Sequence, residues 1–129
     1  MDEKRVFTGT SWEKSVSYCR AIKRGDFIAV SGTTSVKDGE TFAVGDHYGQ
    51  TKRCLEIIEE SLAKLGADRK SIIRTRIFVT DISKWKLYGQ AHGEFFKDCP
   101  PATTMCEIKN LILSELLVEI EADAIVFTV

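Results

Sequence analysis

Polar and apolar positions alternate sharply near the C-terminus of the chain. In Leu117-Val118-Glu119-Ile120-Glu121-Ala122-Asp123-Ala124, the residues Val118, Ile120, Ala122 and Ala124 share one strand face, and Glu119, Glu121 and Asp123 share the other. A strand is therefore expected from Leu117 to about Thr128, preceded by another over about Thr103 to Lys109. Ile72 to Thr80 reads the same way, with Ile73, Thr75, Ile77 and Val79 on one side and Arg74, Arg76 and Phe78 on the other. Tyr18 to Lys23 and Asp26 to Gly32 favour strand across a short Arg24-Gly25 break, which predicts a hairpin, and a further short strand is expected near Val6.

Two segments carry a helical period instead. Leu55, Ile58, Leu62 and Leu65 recur at i, i+3, i+7 and i+10, with Asp46 as the N-cap and Gly66 as the stop. Tyr88, Ala91, His92, Phe95 and Phe96 form a second stripe, capped by Ser83 and ended by Asp98-Cys99-Pro100-Pro101. The order β-β-α-β-α-β-β predicts an α+β sandwich with two helices on one face of the sheet. The other face then carries two arginines and three carboxylates, a pattern suited to a polar interface between subunits, so a homo-oligomer with charge pairing at its centre is expected.

With 129 residues, 43% of them hydrophobic, the chain is long enough for one core and too short for two, so a single domain over 1–129 is expected. A net charge of −1 without a dense Lys/Arg block leaves no electrostatic footprint for nucleic acid or an anionic membrane. Neither an apolar leader nor a membrane-length apolar run occurs, and Cys19, Cys54, Cys99 and Cys106 form no zinc or C-x-x-C pattern. These features read as a cytoplasmic protein with reduced thiols and no metal. His92 is read as a packing residue and His47 as solvent-facing. Trp12, Trp85 and Phe95-Phe96 are read as core or subunit contacts rather than base-stacking platforms, and Cys106 as a structural thiol.

Val30-Ser31-Gly32, Arg74-Thr75-Arg76-Ile77-Phe78-Val79-Thr80-Asp81-Ile82, Pro101-Ala102 and Val118-Glu119-Ile120-Glu121-Ala122 together resemble the Rid or YjgF-type family, also known as endoribonuclease L-PSP-like proteins. The resemblance runs from about Ser17 to the C-terminus. It implies a chorismate-mutase-like fold of the bacillus type, a homotrimeric barrel with ligand clefts between subunits, and no cofactor. It also implies hydrolysis of enamines and imines to keto acids and ammonia, other members being described as ribonucleases or translation inhibitors.

Carried over by position, the family's cleft tyrosine is Tyr18, its water-positioning glutamate is Glu119 and its hairpin serine is Ser31. The family's carboxylate-binding arginine falls on Thr103, its usual cysteine on Met105 with Cys106 one place later, and its second-helix asparagine on Gly89. A guanidinium grips a carboxylate bidentately, whereas a threonine offers one neutral donor. Tyr18 and Arg20, two apart on the expected strand, would share a face, which nominates Arg20 as a substitute anchor beside Thr103 and Thr104. Glu119 and Tyr18 are thus the candidate catalytic residues, and Arg20, Ser31, Thr103, Thr104 and Met105 the candidate substrate-binding residues. Three readings follow: a divergent hydrolase, a non-catalytic small-molecule-binding regulatory trimer, and an endoribonuclease. The last rests on the family's naming alone.

Overall fold

A computed structural model describes residues 2–126. Six strands form one sheet in the order β1-β2-β3-β8-β6-β7: Glu3–Val6 (β1), Ala21–Arg24 (β2), Phe27–Thr34 (β3), Val118–Ile125 (β8), Ile72–Val79 (β6) and Ala102–Glu107 (β7). A small hairpin, Val36–Lys37 (β4) and Glu40–Thr41 (β5), stands apart. The helices are Ser11–Val16 (α1), His47–Ala63 (α2) and Trp85–Phe95 (α3). All pairings in the main sheet are antiparallel except β6 with β7. This is the expected α+β arrangement, a mostly antiparallel sheet with two main helices on one face, in the chorismate-mutase-like fold.

The helical stripes fold as their period dictates. Asp46 caps α2 through its carboxylate, which accepts from the Gly49 amide, and Leu55, Ile58, Leu62 and Leu65 are all buried against the sheet. Tyr88, Ala91 and Phe96 are buried on or just past α3, while His92 and Phe95 are half-buried. Opposite them lie Val118, Ile120, Ala122 and Ala124 of β8, Ile28 and Val30 of β3, and Ile77 and Val79 of β6. Burying the Val, Ile and Leu side chains among them contributes roughly 1.5–3 kcal/mol each and is the main drive to this layer order.

Several expectations need correction. Asp81, not Ser83, is the capping side chain before α3: it accepts from the Ser83 amide and opens a 3₁₀ turn, Ile82–Lys84, that leads into the helix. Ile73 is exposed rather than buried, because a register shift between Ile72 and Arg74 breaks the alternation that would have turned it inward. His47 is half-buried with its ring edge-on to Tyr88 at 5.5 Å, so it does not face open solvent. Tyr18 and Arg20 precede β2 instead of lying on it. The strand expected over Leu117 to Thr128 is found as Val118–Ile125, and its last expected residues lie outside those described.

On the polar face, Arg76 Nη1 reaches both Glu121 and Asp123 at 3.2 Å. Within one chain this pairing joins the neighbouring strands β6 and β8. No helix among the described residues is long and apolar enough to cross a membrane.

Candidate active site at the bulge of strand β3

Val30 pairs with Ala122 and Thr33 pairs with Ile120, so β3 advances three residues while β8 advances two. The extra residue makes a bulge at Ser31-Gly32. Glu119 folds across it: a Cβ built on Gly32 would stand 2.3 Å from Glu119 Oε1 and 2.9 Å from its Cδ. Any side chain at this position would have to push that carboxylate aside. The bulge also frees the Gly32 carbonyl, which accepts from Arg20 Nη1 at 2.8 Å, and the same nitrogen donates to Thr33 Oγ1 at 3.1 Å.

Arg20 is 8% exposed, and its Nε is buried without a hydrogen-bond partner. Its backbone is fixed on both sides, the amide donating to the Val6 carbonyl and the carbonyl accepting from Ser31 N. Ser31 Oγ in turn donates to the Cys19 carbonyl at 2.7 Å. Tyr18 lies beside the same guanidinium, whose central carbon is 5.7 Å from the phenol ring centroid. Tyr18 and Arg20 therefore meet as expected, although an extended segment and not a strand brings them together. Arg20 spends its donors on backbone and hydroxyl oxygens, not on the carboxylate partner that a structural ion pair would use.

The sequence reading passed over α1, the second wall of the site. Thr10-Ser11-Trp12-Glu13 has the spacing of a capping box, and half of one forms: Thr10 Oγ1 accepts from the Glu13 amide at 3.3 Å, whereas the Glu13 carboxylate reaches past the N-cap to Thr8 N at 3.0 Å, Gly9 N at 3.2 Å and the Thr8 hydroxyl. The T-x-x-E spacing was the available signal. Ser17, in the left-handed region at φ 65°, ends the helix and turns the chain toward Tyr18.

Glu13 and Glu119 line one cavity of about 570 Å³ together with Trp12, Tyr18, Arg20 and Ile57. Their environments differ in sign. Burial pushes the Glu13 carboxyl up, but the hydrogen bonds from Thr8 and Gly9, helped by the Arg20 charge, outweigh it and hold the group below the usual carboxylate range. Burial also pushes Glu119 up, and there it prevails: Arg20 opposes the rise, Glu121 adds to it, and the carboxyl ends above its ordinary value. The two carboxyls of one cleft are thus pushed in opposite directions, Glu13 down by its hydrogen bonds and Glu119 up by burial.

Thr103, Thr104 and Met105 sit elsewhere in the protomer, on the edge strand β7, and do not line this cavity. Thr103 and Met105 share the helix-covered face and Thr104 the opposite one, so the three do not form one patch. Met105 packs at the border of the core and Cys106 is exposed. Ser31 borders a second, more open depression with Cys19 and Phe7. Burial pushes the Cys54 thiol far up, which makes it inert. No group of three or more His, Cys, Asp or Glu side chains among the described residues could hold a metal ion.

Residues 8–126 match the model of the endoribonuclease L-PSP family. The chain is 30% identical over 126 residues to a RutC family protein of Pyrococcus abyssi, covering 96% of this chain and 98% of the relative. It is 36% identical to an uncharacterised Streptomyces coelicolor protein over 94% of this chain and 90% of that one. A crystal structure from Mycobacterium tuberculosis, described as a member of the YjgF/YER057c/UK114 family, superposes with a TM-score of 0.89 at 41% identity, covering 97% of this chain and all of that one. The chain belongs to the endoribonuclease L-PSP family, the Rid or YjgF-type proteins.

Proposed function

We propose that the chain is a small hydrolase of the Rid type that adds water to an imine, enamine or related reactive metabolite at the β3 bulge, without a cofactor. The observation that carries this reading is Glu119, raised in pKa by burial, held over Gly32 and facing a buried Arg20 with an unused Nε. Glu119 takes a proton from water as the water oxygen bonds to the imine carbon. The C=N π pair moves to nitrogen, which receives that proton. The carbinolamine then loses its hydroxyl proton to Glu119, the C–N bond breaks, and the proton leaves with nitrogen as ammonia. Arg20 steadies the polar end of the substrate, and Tyr18 closes the cleft.

The active form in this reading is a cytoplasmic homotrimer in which β7 of one subunit, with Thr103 and Thr104, borders the cleft of the next. The exposure of β7 at the end of the sheet supports that assembly, since an edge strand presents unpaired backbone groups. Thr103 in place of the family's arginine favours substrates other than simple imino acids. The test is turnover of freshly generated imines by Glu119→Gln, a near-isosteric change. A loss of roughly 10²-fold or more supports the reading, and unchanged turnover on every substrate found overturns it.

A second reading, a non-catalytic small-molecule-binding regulatory trimer, draws on the same orphaned Arg20 Nε, which asks for a ligand whatever the chemistry. A ligand bound without turnover, with affinity lost in Arg20→Gln, would select it. The endoribonuclease reading takes nothing from the site, whose cations, Arg20, Lys37 and Arg53, are offset by Glu13, Asp38, Glu60 and Glu119.

A further inference from the structure

Beyond the bulge, one polar cluster runs from the core to the sheet edge. His92 faces inward from α3, its ring 4.6 Å from that of Phe96. Its Nε2 lies 2.8 Å from Thr75 Oγ1 and 3.4 Å from Thr103 Oγ1, and the two hydroxyl oxygens are 2.8 Å apart. Thr75 and Thr103 are register partners on β6 and β7. Thr75 is fully buried, whereas Thr103 is exposed.

A single hydroxyl would satisfy the His92 nitrogen. The second one continues the hydrogen-bonded chain to the surface, where its end is free to meet a ligand. We propose that Thr103, Thr75 and His92 form a hydroxyl–imidazole relay whose open end, the Thr103 hydroxyl, binds an uncharged carbonyl or imine group, so that the substrates of this chain are neutral where they meet β7. This rests on the reading of Thr103 as a substrate-binding residue.

The relay carries no formal charge. Burial alone holds the His92 pKa down to about 4, with no charged neighbour contributing, so the ring is neutral near pH 7. Arg76 projects from the opposite face, where it meets Glu121 and Asp123. A carboxylate placed on a neutral hydroxyl would lose water without gaining a counter-charge. A carbonyl or imine needs only one directed hydrogen bond. The neutral imidazole supplies the direction: with the proton on Nε2, each hydroxyl donates outward and Thr103 presents a donor; with the proton on Nδ1, the chain reverses and Thr103 presents an acceptor. Both an imine nitrogen and its N–H can thus be matched. His92 is a positioning residue, acting through Thr103.

The experiment is an NMR titration of the intact protein with acetamide and, at equal ionic strength, acetate, following the His92 ring nitrogens and the Thr103 methyl. Acetamide should shift both signals saturably and acetate should not. Thr103→Val, which removes only the hydroxyl, should weaken acetamide binding about tenfold or more. His92→Phe should weaken it through an intact Thr103, and His92→Gln, which keeps a donor near Nε2, should restore it. An equal response to acetate, no response to acetamide, or a response that survives Thr103→Val overturns the proposal. The titration reads binding at Thr103 and not turnover, so failure of the hydrolase reading, seen as unchanged turnover in Glu119→Gln, and failure of the relay, seen as acetamide binding that survives Thr103→Val, are separately visible.

Discussion

Gly32→Ala separates the stability of this fold from its chemistry. The new methyl carbon would begin 2.3 Å from Glu119 Oε1 and 2.9 Å from Cδ, against the 3.4 Å at which ordinary contact starts. The oxygen must therefore retreat by about 1 Å (3.4 less 2.3). The obstructing atoms are the far end of a flexible side chain, so the retreat costs an off-rotamer penalty of roughly 0.5–1.5 kcal/mol. Against it, Gly32 does not occupy the positive-φ region, and alanine there restricts the unfolded chain by about 0.4–1 kcal/mol in favour of folding. The two nearly cancel, and the melting temperature should move by no more than about 4 °C. Turnover should not be spared, because a displacement of about 1 Å at a catalytic group can cost on the order of 10²-fold. Thermal melts and steady-state turnover on the same preparation decide it. Intact turnover would refute the seating of Glu119 on Gly32. A stability loss above about 3 kcal/mol would refute the claim that only a flexible carboxylate stands in the way.

Three further predictions come from the charges. Arg20→Gln removes the donor to the half-buried Gly32 carbonyl, costing about 1 kcal/mol in denaturant melts, and it removes the charge that restrains the Glu119 pKa, so the acidic limb of the pH–rate profile should move to higher pH. An unmoved limb would mean the two groups do not interact. His92 has a folded pKa of about 4 against an ordinary 6.5, so the unfolded chain binds a proton first and stability falls as pH drops from about 6.5 toward 4. His92→Phe should flatten that slope in urea melts at pH 7 and pH 5, and an unchanged slope would assign it to other groups. Arg76→Ala leaves Glu121 and Asp123 facing each other without their cation; a half-exposed pair is worth at most about 1 kcal/mol to the protomer. In the proposed trimer a larger effect should appear as a fall in mass by light scattering, and an unchanged mass would place this face outside the subunit interface.

Periodic segments were legible in the sequence and aperiodic ones were not. The α2 stripe of Leu55, Ile58, Leu62 and Leu65 and the β8 alternation of Val118 to Ala124 fix buried faces by spacing alone, and both are buried as read. Bulges defeat that logic: one extra residue reversed the face of Ile73, and another created the seat of Glu119, with Gly32 as its faint mark. The six-residue α1 is too short for a period to emerge, and its evidence lay in the Thr10 to Glu13 cap. Tyr18, Arg20 and Glu119 do converge, but on an irregular segment rather than on a shared strand face. Thr103 and His92 were both visible as residues; their meeting depends on the parallel pairing of β6 with β7, which no local pattern encodes.

The fault in β3 has a consequence for how this chain can change. Deleting Gly32 alone would let Val30, Ser31 and Thr33 pair in unbroken succession with Ala122, Glu121 and Ile120, yielding a more regular ladder than the one present. The same deletion would remove the carbonyl that Arg20 holds and the hollow in which Glu119 lies. A shorter chain with a more regular ladder is thus one deletion away from this sequence. On the proposed function the irregularity is kept by its use: a lineage released from its ligand should lose the extra residue before it loses the sheet.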